Sequence, residues 1–208
     1  MDVLRELLSR GLRRLEPDGK LTVEPTAADD LRATRHLFVV DLEMSGSNAQ
    51  LHEVLDVGGV LTPLAPGLPE QGAWGARVKP KHIGNGEPGA LKVVGYSPKG
   101  WKDALDLERA FEKFSDLGRD AVITGWGISQ DMAFLVESFR RLGQPWPFAT
   151  LALDVQPIAR TILNDGRVDR FNLGHVADRL GIGRMGEHGA LADAYATYDV
   201  LVKLIARE

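Results

Sequence analysis

The sequence predicts an α/β domain built on a mixed β-sheet. Three observations carry that reading. Apolar, strand-like runs at residues 37–42, 54–64 and 74–78 follow one another, helical and strand patterns alternate after residue 102, and the chain is long enough for one sizeable core. Its 208 residues are 44% hydrophobic and 26% charged, a balance typical of soluble globular chains. At roughly 150 residues per domain this is one domain with an appendage.

In chain order, residues 2–15 place Leu4, Leu7, Leu8, Leu12 and Leu15 at helical spacing among Arg5, Arg10, Arg13 and Arg14, which predicts a short amphipathic helix. Pro17, Asp18, Gly19, Pro25, Asp29 and Asp30 read as linker, so residues 1–35 form a helix-and-linker extension and residues 36–208 the main domain. The helix is short, and packing against the domain or a second copy of the chain fits it better than a membrane surface. The three early runs are separated by Gly, Pro and Ser clusters and read as an antiparallel meander. Residues 102–117 follow as a helix, 121–124 as a buried strand, 130–142 as a helix and 151–155 as a strand, and 173–180 and 188–206 close the chain as helices. The Gly/Pro-rich stretch 80–100 reads as a long functional loop.

Composition narrows the function classes. With no cysteine, the chain has no disulfide framework, no thiolate metal site and no thiol nucleophile, so any metal sits on oxygen or imidazole. A net charge of −4 argues against coating nucleic acid through bulk positive charge, though not against gripping one end of a strand. No apolar run reaches the roughly 18 residues of a membrane span, and the Met1 end lacks a secretory signal, so the expected location is cytoplasmic. Residues 76–102 hold Arg77, Lys79, Lys81, Lys92, Lys99 and Lys102 against Glu87 alone. That stretch reads equally as a phosphate track or as a solvated loop.

Candidate chemistry lies in the acids. Side chains alternate along a strand, so Asp41 and Glu43 share a face about 7 Å apart along the chain, while Leu42 points away. Two like charges held side by side call for a cation between them, although a solvated strand end has the same pattern. Asp131 sits in the first turn of a helix on the stripe continued by Phe134, Leu135, Ser138, Phe139 and Leu142. Taken alone, it reads as an acid favoured by the helix dipole, with Ser129 as cap. The last helix offers two registers. Tyr195 and Asp199 share a face, whereas His188 and Asp193, five apart, work together only if His188 precedes the helix on a loop, which Gly183, Gly186 and Gly189 permit.

Together these segments resemble the DEDD family of 3′→5′ exonucleases, in the His-containing branch that includes ribonuclease T, the proofreading subunit of DNA polymerase III and oligoribonuclease. Phe38-Val-Val-Asp41-Leu-Glu43-Met-Ser-Gly46 is similar to the first motif, in a form nearest oligoribonuclease. Gly125-Trp-Gly-Ile-Ser-Gln-Asp131-Met-Ala-Phe134-Leu135 is similar to the second, and His188-Gly-Ala-Leu-Ala-Asp193-Ala to the third, with the five-residue spacing of the His branch. Glu53 to Gly59, Lys79-Pro80, Gly95, Leu153-Asp154 with Ala159-Arg160, and Asn172-Leu173 are weaker matches. Trp126-Gly127 departs from the His-Asn or Asn-Ser common at that point of the family.

The resemblance implies a ribonuclease H-like mixed sheet flanked by helices, behind the N-terminal helical extension. It implies a hydrolase that releases 5′-mononucleotides from the 3′ end of single-stranded nucleic acid, short RNA being slightly favoured over DNA. Two divalent cations, Mg²⁺ or Mn²⁺, come with it. Asp41 would bridge both ions, Glu43 and Asp193 would complete the first, and Asp131 would help hold the second. His188 would be the general base, and Met44, Ser45 and Gly46 would contact the terminal nucleotide. Trp126 would either stack on a base or fill the core, with the core favoured. Single-stranded RNA or DNA 3′ ends are the implied partners, and oligoribonuclease-like members add a homodimer. A non-catalytic nucleic-acid-binding or partner-docking module is the alternative; its mark would be a lost metal ligand, and all four acids are kept.

Overall fold

Residues 37–40 are apolar on both faces of their strand, and such a strand must be covered on both sides. A computed structural model of the chain describes residues 8–23, 35–163, 171–183 and 189–207. These residues contain seven strands: β1 (Leu12–Leu15), β2 (Leu21–Val23), β3 (His36–Met44), β4 (Val54–Pro63), β5 (Gly72–Arg77), β6 (Val122–Gly125) and β7 (Leu151–Asp154). They form one mixed sheet in the order β2-β1-β7-β6-β3-β4-β5. β3, β4 and β5 are the expected antiparallel meander, and β6 and β7 add to β3 in parallel. Among the described residues six complete α-helices flank the sheet: α1 (Pro88–Val94), α2 (Leu107–Gly118), α3 (Ser129–Leu142), α4 (Val155–Ile162), α5 (Leu173–Arg179) and α6 (Ala190–Ile205).

The covering layers differ in composition. Phe38, Val40 and Leu42 of β3 pack with Phe111 and Phe114 of α2 and with Met132, Phe134 and Phe139 of α3. On the other face Val39 meets Val60 and Ala194 of α6, and Leu37 joins a cluster with Ile158, Val176 and Leu201 from α4, α5 and α6. Because adjacent residues of β3 feed opposite layers, the strand is fixed in register, and so are the acids that follow it.

The N-terminal segment departs from its expected form. Leu12–Leu15, read as part of a helix, is a strand that pairs antiparallel with β7 and, through the turn at Pro17 to Gly19, with β2. Leu8 and Leu12 are fully buried in the α4–α5–α6 layer. A helix here would leave the backbone groups of β7 open along an edge; as a strand, the segment satisfies them, with Asp154 N–H donating to Gly11 O at 2.8 Å and Leu15 N–H to Thr150 O at 2.7 Å. Of the presumed linker, Leu21–Val23 is sheet as well. Residues 1–7 and 24–34 lie outside the described residues.

Three smaller differences have local causes. The helix expected from residue 102 starts at Leu107, because Leu105 is held in an extended bridge with Val78. Residues 80–100 are not all loop: Pro88 at the first turn starts α1, and Gly95, at φ 67°, ends it. Val155, expected to end a strand, instead opens α4, whose cap is Asp154, accepting from the Gln156 N–H at 3.0 Å. No helix among the described residues is long and apolar enough to cross a membrane.

Leu12→Ala tests the placement of β1. Loss of a fully buried leucine is expected to destabilise the protein by about 2–4 kcal/mol, lowering Tm by roughly 5–15 °C in a circular-dichroism melt. An unchanged melt would remove β1 from the core.

Candidate active site

The acids gather at the carboxyl end of β3, where β4 still flanks it and β6 has ended. The antiparallel register sets Asp41 opposite Gly58 and Gly58 opposite Gly75; one step along, Glu43 faces Asp56 and Asp56 faces Arg77. Paired residues point to the same face, so the space beside Asp41 is bounded by two glycines with no side chain to fill it. The first turn of α6 occupies that space. A Cβ on Gly58 would lie 2.2 Å from the backbone nitrogen of Leu191, and one on Gly75 would lie 2.8 Å from Leu191 Cβ. Only a bare strip lets the helix backbone rest on the sheet this closely. Asp193, in that first turn, thereby meets the strand acids: one carboxylate oxygen from each of Asp41, Glu43 and Asp193 lies within 4.8 Å of the others.

Asp131 arrives from the other layer. β6 pairs with β3 only as far as Val39, so the Leu42 N–H lies beyond the parallel ladder. Asp131, 8% exposed in the first turn of α3, accepts that N–H at 3.0 Å. Asp131 is the first-turn acid expected from sequence, but Ser129 is not its cap. Ser129 is already helical, Ile128 occupies the cap without a side-chain bond, and the carboxylate is committed to β3. The turn leading into α3 is held by Asp154, which accepts the Gly127 N–H at 2.9 Å.

Crowding of these acids sets their proton affinities. Burial first, and then the charges of Asp131, Asp193, Glu43 and Asp56, push the Asp41 carboxyl well above the usual range. Burial pushes Asp131 up to about 7, against the opposing hydrogen bond from Leu42. Without a compensating cation the cluster is repulsive near neutral pH. An all-carboxylate donor set is also what hard divalent cations prefer, so the residues fit the metal expected from the sequence.

The other candidates fall in different places. Met44 ends β3, half-buried. Ser45 is buried, and its hydroxyl accepts the Glu53 N–H at 2.9 Å, while Gly46 lies against the His52 ring. Trp126 stacks on Phe171 with ring centroids 5.7 Å apart and packs on the core, as favoured from sequence, and Arg160 lies over the Phe171 ring at 4.4 Å. In the competing register of the last helix, the Tyr195 hydroxyl donates to Glu70 at 3.0 Å, apart from the carboxylate cluster. The basic stretch divides. Arg77 donates to Gly100 O and covers the Trp101 ring, whereas Lys79 and Lys81 line a cavity of about 500 Å³ with Val54, Val78 and Arg140. Val54 and Val78 belong to the layer under α2 and α3, opposite the face carrying Asp41. His188 lies outside the described residues.

Sequence reasoning missed Asp56. Its carboxyl accepts the Val57 N–H at 2.9 Å, and it is pushed up chiefly by burial. The readable signal was an acid two residues before Gly58 inside an apolar strand.

Solved structures share this architecture. Zinc-bound E. coli exonuclease I in complex with single-stranded DNA superposes with a TM-score of 0.72 at 18% identity, over 84% of this chain and 41% of that one. The nuclease domain of 3′hExo, a DEDDh family member bound to rAMP, gives 0.67 at 15% identity, over 84% of this chain and 93% of that one. The class of fold is therefore a ribonuclease H-like mixed sheet flanked by helices. Residues 38–201 match the RNase_T exonuclease family, and the chain belongs to it. The DNA polymerase III epsilon subunit of Aquifex aeolicus is 22% identical over 80% of this chain and 79% of its own length. A Mycobacterium tuberculosis protein named for a bifunctional exonuclease/endonuclease is 25% identical over 88% of this chain, which spans only 28% of that protein. For the PolC-type DNA polymerase III of Thermotoga maritima, 23% identical, that share is 13%.

A carboxyl raised in the folded state binds more protons there than in the unfolded chain, so between about pH 4 and the raised value it costs stability as pH rises. Asp131→Asn should therefore melt about 3 °C or more above the parent in chelator near pH 8 and show no such gain near pH 4. Equal melting at both pH values would contradict the burial and charge assigned to Asp131.

Proposed function

We propose that the chain is a 3′→5′ exonuclease that hydrolyses phosphodiester bonds at the 3′ ends of single-stranded nucleic acid and releases 5′-mononucleotides. Short RNA is slightly favoured over DNA. The observation that carries this reading is the meeting of Asp41, Glu43 and Asp193 within 4.8 Å, in a chain of the exonuclease family. Similar structures hold single-stranded DNA in one case and rAMP in another, which supports a strand end as ligand and leaves the RNA preference resting on the Asp-Leu-Glu-Met form of the first motif.

In this reading Asp41, Glu43 and Asp193 would hold one of two Mg²⁺ or Mn²⁺ ions, and Asp131, with Asp41, the second. When bound, such ions activate water and stabilise the attacking and leaving oxygens of an in-line displacement. The chain's own contribution is positional. β3 fixes Asp41 and Glu43 on one face, the Leu42 N–H orients the Asp131 carboxylate, and the bare strip at Gly58 and Gly75 sets Asp193 opposite them. Met44 and the turn at Ser45 and Gly46 would receive the terminal nucleotide. Ser45 is tied to Glu53 and, through its carbonyl, to the Glu87 N–H at 2.7 Å, so that turn is held in shape before substrate arrives. His188, by resemblance, takes the water's proton, a task suited to an imidazole whose ordinary pKa is about 6.5. The cytoplasmic location is proposed from the sequence, and the homodimer from the resemblance to oligoribonuclease-like members. Against a non-catalytic module stands the retention of all four acids.

The test uses 5′-end-labelled RNA and DNA oligonucleotides with Mg²⁺, Mn²⁺ or chelator. Ladders shortening from the 3′ end, a block by 3′-phosphate, and loss of about 10³-fold or more in Asp193→Ala and Asp41→Ala are expected. Shortening from the 5′ end, or full activity in chelator, would overturn the proposal.

A further inference from the structure

The segment between β3 and β4 carries the turn at Ser45 and Gly46 and then folds back on itself. The N–H groups of Leu51 and His52 donate to Asn48 O at 3.0 and 2.8 Å, and the Gln50 N–H donates to the Asn48 side chain at 2.9 Å. Three carbonyls of the same segment face α3 instead. Arg141, in the last turn of that helix, donates Nη1 to His52 O at 3.0 Å, and Nη2 to Ala49 O at 2.7 Å and to Gln50 O at 2.9 Å. Its Nε donates to Glu137 at 2.8 Å, and Glu137, 9% exposed, also accepts from Arg140. Four of the five N–H groups of the guanidinium are thereby committed inside the protein, in a planar fork that a lysine cannot reproduce. The grip reaches the strand-end turn through His52. Its buried ring accepts the Asn48 N–H at 3.0 Å and lies so close to Gly46 that a Cβ there would come within 2.4 Å of it. At the opposite end of α3, Gln130 donates to Ser47 O at 3.0 Å and Asp131 accepts the Leu42 N–H. One helix thus holds both the strand that bears the acids and the turn that follows it.

We infer that Arg141 is a positioning residue: by clamping the carbonyls of Ala49, Gln50 and His52 onto α3, it sets the His52 ring against Gly46 and fixes the turn proposed to receive the terminal nucleotide. Its consequence for substrate rests on the exonuclease reading; its geometry does not. The competing role for an arginine beside such a turn is direct contact with a phosphate. That role asks for a positive charge, which lysine keeps, and it shows in the salt dependence of binding. The clamp asks for a fork of donors, which lysine lacks, and its loss leaves the salt dependence as it was. One conservative change and one salt series therefore separate the two.

The experiment compares the full-length parent protein with Arg141→Ala and Arg141→Lys in two measurements: amide hydrogen exchange at Leu51 and His52, and kcat and KM on a labelled oligonucleotide over a salt series. Both variants are expected to speed exchange at the two amides about tenfold or more. Both should raise KM about tenfold with kcat within about threefold, because the acids on β3 are held by the other end of α3. The dependence of log KM on log salt should keep the parent's slope, whereas loss of a phosphate contact would make it shallower by about one. The inference fails if exchange is unchanged, if exchange quickens while KM stays at the parent value, if Arg141→Lys restores the parent KM, or if the salt slope falls. Should Arg141→Ala not fold, Arg141→Lys decides alone, faster exchange with raised KM upholding the inference and parent values overturning it. Exchange is read without substrate. A parent protein that hydrolyses no oligonucleotide would thus sink the exonuclease reading and leave the clamp to be judged on exchange in the two variants.

Discussion

Carboxylates packed together in a partly dehydrated crevice repel one another, and the rest of the fold answers to that repulsion. Moving Asp131 from an ordinary value to about 7 corresponds to a cost on the order of 4 kcal/mol near neutral pH. A domain is typically stable by about 5–15 kcal/mol, so one such group spends a large fraction of the margin. The arrangement makes sense when a divalent cation returns that energy. It also explains how a chain with a net charge of −4 can take a polyanion, because bound cations reverse the local field.

Each acid reaches the crevice by a different physical route. Strand alternation delivers Asp41 and Glu43, and burial of β3 on both faces stops the register from slipping. Asp131 exploits the end of a parallel ladder, where an N–H of β3 has no strand partner and a helix-borne carboxylate can take its place. Asp193 depends on absence: with no side chain at Gly58 or Gly75, the first turn of α6 settles directly on the sheet. The aromatic layer of Phe38, Phe111, Phe114 and Phe139 on the opposite face gives these contacts a rigid backing. Rigidity matters because carboxylates that repel would otherwise move apart.

What could be read from the chain follows the range of the forces involved. The acids on β3 and the helices carrying Asp131 and Asp193 were legible, because alternation and helical period are local and the three motifs come in order. The meander and the parallel additions were legible for the same reason. The N-terminal strands were not, because leucines three and four apart fit a helix as well as they fit Leu8 and Leu12 packing under β7, and only the unpaired edge of β7 decides between them. Short α1 hid behind its Pro and Gly residues, which here begin and end a helix. The true task of Asp131 was out of reach, since its partner Leu42 is distant in sequence. Trp126, open in sequence, stacks on Phe171 at the margin of the core.

Anomalous diffraction from crystals grown with Mn²⁺ tests most directly whether the carboxylates converge to hold cations. A manganese peak among Asp41, Glu43 and Asp193, with metal–oxygen distances of about 2.0–2.3 Å, is the expected result. Manganese bound only elsewhere, with those three side chains turned away from one another, would contradict it.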